Sequence, residues 1–162
     1  MWVLGSCNDT TKTASVLTDH TAKVVIMLAP DCPLCKNYTK DIKDLVEAYK
    51  NDIHFYGVIP GSYYTKHEVD SFLLHYEIDI DIVYDPDLTL THQLGATITP
   101  EVFLVNEYNQ VLYEGKFDNW LGELGRRRQI ITKYYLKDAI ESYRQAAPIL
   151  IPKTIPIGCF IE

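Results

Sequence analysis

Val24-Val25-Ile26-Met27-Leu28-Ala29-Pro30-Asp31-Cys32-Pro33-Leu34-Cys35 joins an unbroken apolar run to two cysteines separated by two residues. A run this rich in β-branched residues reads as a strand buried on both faces. The segment that follows, Lys36 to Tyr49, carries apolar residues at helical spacing. Cys32 is thus expected at a strand-to-helix turn, beside the first free N–H groups of a helix. Those groups and the helix dipole favour negative charge, so the Cys32 thiol pKa should fall from about 8.5 toward neutral or below. Cys35 lies one helical turn further on, on the same face. The pair therefore supplies an attacking thiol and a resolving thiol. Two bland readings stand beside this one. Zinc at this spacing wants a second ligand pair, and no second Cys-x-x-Cys or His-x-x-x-His follows. A purely structural bridge across two residues would close too small a loop to contribute much stability.

The pattern outside this stretch alternates strands and helices. Strands are expected at Lys23–Leu28, Ile53–Ile59, Ile80–Tyr84, Glu101–Asn106 and Gln110–Glu114, the last two forming a hairpin across Glu107-Tyr108-Asn109. Helices are expected over Pro33–Lys50, over Lys66–Tyr76, from Asp85-Pro86 through Leu88 to Leu94 with a stop at Gly95, and over Lys133–Ala146. A short edge strand is expected around Ala14–Leu17, and Pro148–Glu162 reads as an extended, Pro-rich tail. The domain reading is an N-terminal segment 1–22, a core 23–147 and the tail 148–162. This order implies an α/β protein: a central mixed β-sheet flanked by helices, with a C-terminal helix and an extended tail. With Cys-x-x-Cys after the first core strand, it is the thioredoxin-like arrangement. Thr99-Pro100 falls just before the strand at Glu101, where a proline costs no ladder hydrogen bond. In the thioredoxin fold this position holds a cis-proline against the active-site sulfurs. There the neighbouring backbone is free to pair with an extended substrate, which makes Thr99 and Pro100 the expected substrate-binding residues.

The chain has 162 residues, 47% of them hydrophobic, and a formal net charge of −7. One domain with a sizeable core is the default, and nucleic acid or anionic lipid is not the expected partner. No stretch approaches the ~18 consecutive apolar residues of a membrane span. Leu4-Gly5-Ser6-Cys7 looks like the lipobox of bacterial lipoproteins, in which the cysteine is lipidated, although a charged leader and a full apolar stretch are missing before it. The alternative is a tail with a spare thiol.

These features together resemble the bacterial redoxin-domain proteins of the AhpC/TSA and TlpA-like thioredoxin group. Three marks carry the resemblance: Asp31-Cys32-Pro33-Leu34-Cys35; Thr99-Pro100-Glu101-Val102-Phe103-Leu104-Val105 followed by Tyr113-Glu114-Gly115-Lys116-Phe117-Asp118-Asn119; and Gly125-Arg126-Arg127-Arg128 with the closing Thr154-Ile155-Pro156-Ile157-Gly158-Cys159. The resemblance spans about Lys23 to Cys159. It implies thiol–disulfide oxidoreductase chemistry in the bacterial cell envelope, periplasmic or tethered through a lipid on Cys7. It does not supply a substrate; dithiol exchange at Cys32 and Cys35 leads to the expectation of protein disulfide substrates and a thiol–disulfide electron donor or acceptor. No cofactor and no metal are expected.

Two departures from related patterns bear on mechanism. Thioredoxins proper carry a buried Asp six residues before the first active cysteine, where this chain has Ile26. Glu101 is the candidate replacement as proton relay, against the alternative that it is solvated at a strand end. Peroxiredoxins place Pro and Thr or Ser seven and three residues before their reactive cysteine, where this chain has Val25 and Ala29. A peroxiredoxin-like peroxidase is thereby disfavoured. Copper delivery is the other alternative, with Cys32 and Cys35 holding a soft metal, but copper-delivery proteins of this fold use Cys-x-x-x-Cys. Cys159 is either a third exchange thiol or a buried structural one. Arg126, Arg127 and Arg128 are candidates for a clamp on acids such as Asp118. Tyr113 and Trp120 line either the groove or the core.

Overall fold

The computed structural model describes Val16, residues 20–123 and residues 126–162. Cys7 and most of the segment 1–22 lie outside the described residues. So does the expected edge strand at 14–17, except for Val16, whose backbone is helical.

A five-stranded mixed sheet organises the chain, in the order β3-β2-β1-β5-β6. β1 (Lys23–Met27) pairs in parallel with β2 (His54–Pro60), which pairs in parallel with β3 (Asp81–Asp85). On its other side β1 pairs antiparallel with β5 (Glu101–Val105), which forms a hairpin with β6 (Val111–Gly115). Every residue of β1 is buried. Val24, Ile26 and Leu28 face a cluster containing Cys32, Cys35 and Ile42, while Val25 and Met27 face Phe103 and Leu90. This two-sided burial is why the strand reads as a continuous apolar run rather than an alternation.

The helices cover both faces. α1 (Pro33–Asn37) and α2 (Thr39–Tyr49) follow β1, α3 (Lys66–Tyr76) follows β2, α4 (Thr89–Leu94) follows β3, and α5 (Tyr135–Arg144) follows the hairpin. The expected single helix over 33–50 is broken at Tyr38 (φ −86°, ψ 1°). The break has a tertiary cause. The Tyr38 ring stacks on Phe117 at 4.7 Å and its hydroxyl donates to Asp118 at 2.9 Å, which pins this residue away from a regular helical path. α3 begins where the sequence places it, with Thr65 and Glu68 forming a reciprocal capping box. α4 is started by Asp85, whose carboxylate accepts from the Leu90 and Thr91 amides and the Thr91 hydroxyl.

The extended tail is docked at two places. Glu114 donates its amide to the Pro152 carbonyl, and Thr154 donates to the Glu114 carbonyl, each at 3.0 Å, so the tail runs along the outer edge of β6. The Thr154 hydroxyl accepts from the Lys116 amide and shares a hydrogen bond with the Tyr113 hydroxyl. Further on, β9 (Cys159–Phe160) pairs antiparallel with β4 (Ile98–Thr99), setting Cys159 opposite Thr99. Between the hairpin and α5, β7 (Leu121–Glu123) pairs with β8 (Arg126–Arg127).

Candidate active site

Cys32 closes the turn after β1 with extended backbone (φ −64°, ψ 117°), and Pro33 opens α1. Proline suits this first helical position, where its missing N–H is not needed. The Cys32 carbonyl accepts from the Lys36 amide at 3.2 Å, so Cys35 projects back along the same face. Cys35 is fully buried and its sulfur accepts from the Ala29 amide at 3.5 Å. Cys32 is only 2% exposed, and its sulfur lies 3.3 Å from the Thr99 carbonyl oxygen. Cys32, Cys35 and Cys159 are all free thiols.

The Cys32 and Cys35 thiols are shifted in opposite directions. Cys32 is lowered to about 5, chiefly because the Cys35 thiol hydrogen-bonds to it; burial opposes this, and the Cys159 thiol and the Cys35 and Leu34 amides add to the lowering. The expectation that helix N–H groups set this pKa is therefore corrected in emphasis. α1 is a single short turn, and the neighbouring thiols act more strongly than its amides. Cys35 is pushed well above its ordinary value by burial, then by its hydrogen bond to Cys32 and by the Cys32 charge. One thiol is thus poised as a thiolate while the other holds its proton.

The Thr99–Pro100 peptide bond is cis. Thr99 is buried, and its carbonyl reaches Cys32 while its backbone pairs with Cys159. Glu101 is 6% exposed, which removes the reading of a solvated strand-end carboxylate. Its place also differs from that of a relay. Glu101 is opposite Met27 in the β1–β5 ladder, and Met27 belongs to the sheet face away from Cys35. The Glu101 carboxylate accepts from the Thr97 amide at 3.0 Å, and burial raises its pKa. It supports the β4 turn rather than facing the dithiol.

A cleft of about 760 Å³ opens beside Cys32, walled by Pro60-Gly61-Ser62, Tyr63, Tyr64, Thr99 and the chain from Cys159 to Glu162. Across its floor the Tyr64 hydroxyl donates to Asp31. Reading the sequence alone missed Tyr64 and Asp31 as site residues. Their signal was adjacency: Asp31 precedes Cys32, and Tyr64 follows the turn that ends β2. Of the remaining candidates, Tyr113 is core, with its hydroxyl donating to the Lys116 carbonyl. Trp120 packs edge-on against Tyr38, 5.6 Å between ring centroids. Asp118 takes its hydrogen bonds from Tyr38 and the Trp120 amide. The Arg128 side chain is exposed and its amide donates to the Trp120 carbonyl. Among the described residues, no group of three or more His, Cys, Asp or Glu side chains is arranged to hold a metal ion.

Comparisons with known proteins bear on the fold. No curated protein matches the chain. Among solved structures, a hypothetical protein from Sinorhizobium meliloti 1021 superimposes with a TM-score of 0.78 at 18% identity, covering 91% of this chain and 82% of that one. An uncharacterized conserved protein from Geobacillus kaustophilus gives 0.78 at 16% identity, over 90% and 79%. A secreted Mycobacterium tuberculosis disulfide oxidoreductase homologous to E. coli DsbE gives 0.51 at 15% identity, over 58% and 68%. At these identities the likeness is one of fold, and that fold is thioredoxin-like. The Redoxin family model matches residues 4–120, which contain all five strands of the central sheet and the whole Cys32–Cys35 turn, so the chain belongs to the Redoxin family of thioredoxin-fold thiol–disulfide oxidoreductases.

Proposed function

We propose that this protein exchanges disulfides with protein substrates in the bacterial cell envelope, with Cys32 as nucleophile and Cys35 as resolving thiol. The observation that carries the reading is the opposite polarisation of the two thiols, Cys32 at about 5 and Cys35 far above its ordinary value. In the reducing direction the Cys32 thiolate attacks one sulfur of a substrate disulfide. A Cys32–substrate bond forms and the other substrate sulfur leaves as a thiolate, which takes up a proton. Cys32 has then lost its charge, and both the repulsion and the hydrogen bond that held the proton on Cys35 disappear. Cys35 ionises, attacks the Cys32 sulfur and expels the second substrate thiolate, leaving a Cys32–Cys35 disulfide. Two electrons pass to the substrate, and an external thiol donor restores the dithiol. The reverse sequence oxidises a substrate dithiol.

The envelope setting is supported by the lipobox-like Leu4-Gly5-Ser6-Cys7, and a lipid on Cys7 would supply a tether. Mass analysis of protein from a membrane fraction tests it through the presence or absence of the lipid adduct on Cys7. The chemistry is tested by turnover of a model protein disulfide with a dithiol donor. Cys32→Ser should lose the activity entirely. Full activity in that variant would refute the mechanism.

A further inference from the structure

β9 brings a third thiol to the nucleophile. The antiparallel pairing of Cys159 with Thr99 uses the strand edge next to Pro100, where an extended peptide would pair, and the Thr99 carbonyl lies 3.3 Å from the Cys32 sulfur. The tail therefore lies where a substrate backbone would lie, and Cys159 lines the same cleft as Cys32. The fit is close. A Cβ added to Gly158 would run into the Thr99 carbonyl oxygen and the Ile98 side chain, so only glycine lets the tail approach this closely. The tail is also fixed upstream through Thr154 and the β6 edge, so β9 is held in place and not merely resting there.

We propose that Cys159 is a second resolving thiol, which closes a Cys32–Cys159 disulfide and thereby locks the tail over the edge that extended substrates need. The proposal rests on Cys32 acting as the nucleophile of the oxidoreductase described above. The step balances as ordinary exchange. A disulfide RSSR captures the Cys32 thiolate as Cys32–SR and releases one RS⁻. Cys159 then gives up its proton and attacks the Cys32 sulfur; a Cys32–Cys159 bond forms and the second RS⁻ leaves. Two electrons move from the protein to RSSR.

The electrostatics time this step. In the reduced protein Cys159 is raised to about 12, by burial first and then by its hydrogen bond to Cys32 and the Cys32 charge. Capping Cys32 removes both of its contributions, while burial and the Asp31 charge remain, so Cys159 ionises more readily after Cys32 has reacted than before. Cys159 is also the more open of the two partners: it is partly exposed, while Cys35 is fully buried. Small disulfides that leave β9 seated should be resolved by Cys159. Extended protein substrates must first displace the strand and would be resolved by Cys35.

The test uses the full chain carrying Cys7→Ser and Cys35→Ser, so that Cys32 and Cys159 are the only thiols. It is treated with oxidised glutathione and followed by intact mass and peptide mapping. The expected result is loss of two hydrogens through a Cys32–Cys159 link, with at most a transient glutathione adduct. A persistent adduct on Cys32 with no such link overturns the third-thiol assignment and leaves the Cys32 chemistry standing. No reaction at Cys32 overturns both. Adding Gly158→Ala keeps both thiols but lifts the strand, and ring closure should slow at least tenfold. Unchanged closure in that variant would show that β9 docking does not present Cys159, and would overturn the proposal.

Discussion

Reducing the pH through the Cys32 titration should change both reactivity and redox poise, by amounts that follow from the site. With Cys32 at about 5, roughly 99% of it is thiolate at pH 7. An ordinary cysteine near 8.5 would be about 3% ionised. Only the reduced protein has a thiolate to stabilise, so a low Cys32 pKa favours the dithiol and raises the reduction potential. Compared with a thioredoxin-type thiol of pKa about 7, the extra stabilisation at pH 7 is about 2.3 kcal/mol. For a two-electron couple this is about 50 mV, which moves the potential from about −270 mV to about −220 mV. The sign of the pH dependence follows from the same ionisation. Relative to that thioredoxin-type thiol, stabilisation of the reduced form is full above about pH 7 and is lost as the pH falls from there through about 5. The potential should therefore change by about 30 mV per pH unit above 5, where reduction takes up one proton, and by about 60 mV per unit below it, where it takes up two. Two assays read this: iodoacetamide alkylation of Cys32 against pH, and equilibration with glutathione buffers followed by mass analysis. Because the Cys35 thiol is the largest cause of the lowering, Cys35→Ala should move the alkylation midpoint upward. An alkylation midpoint above 7 in the unmodified protein, or a potential at or below −270 mV, would refute this account of the site.

Three further predictions concern the parts that hold the site. Thr154→Val removes the acceptor for the Lys116 amide and should cost about 1–2 kcal/mol in urea unfolding; limited proteolysis should cleave the tail faster, and an unchanged cleavage rate would contradict its anchoring there. Tyr38→Phe deletes the donor to buried Asp118, so it should cost about 1.5–3 kcal/mol in the same unfolding measurement; a loss below 0.5 kcal/mol would mean that this bond contributes little. Asp85→Ala strips three donors at the start of α4 of their acceptor and should destabilise by about 2 kcal/mol, with amide exchange at Leu90 and Thr91 accelerating first; protection equal to that of the unmodified protein would contradict the capping role.

The features that were legible in the sequence are those that local chemistry dictates. β1 announced itself because both of its faces are buried, and the Cys32–Cys35 turn because a proline follows the first cysteine at a strand-to-helix junction. Thr99-Pro100 was legible from its place before an apolar strand. What escaped was long-range. Nothing in the periodicity of residues 33–50 marks Tyr38 as a break, since the break is imposed by Phe117 and Asp118 from a distant loop. Glu101 is a candidate relay by its proximity to Pro100 in the sequence, yet strand alternation puts it on the face of Met27. The pairing of Cys159 with Thr99 involves strands of two residues each, too short for any hydrophobic pattern to betray. Gly158 is the one local hint, and its reason is visible only once the Thr99 carbonyl is placed against it.

The strand order also bears on how the protein comes into being. β1 carries the dithiol turn, yet its antiparallel partner is β5, so that Met27 meets Glu101. During synthesis at about 5–20 residues per second, the Cys32–Cys35 segment emerges roughly four to fifteen seconds before the strand that completes its seat. Cys159, on the last strand, arrives later still. In that interval the nascent chain holds its two thiols without the sheet that buries them. The contribution of Cys159 to the lowering of Cys32 is added only when the C-terminal strand docks, after the Cys35 thiol and the Cys35 and Leu34 amides of the same turn.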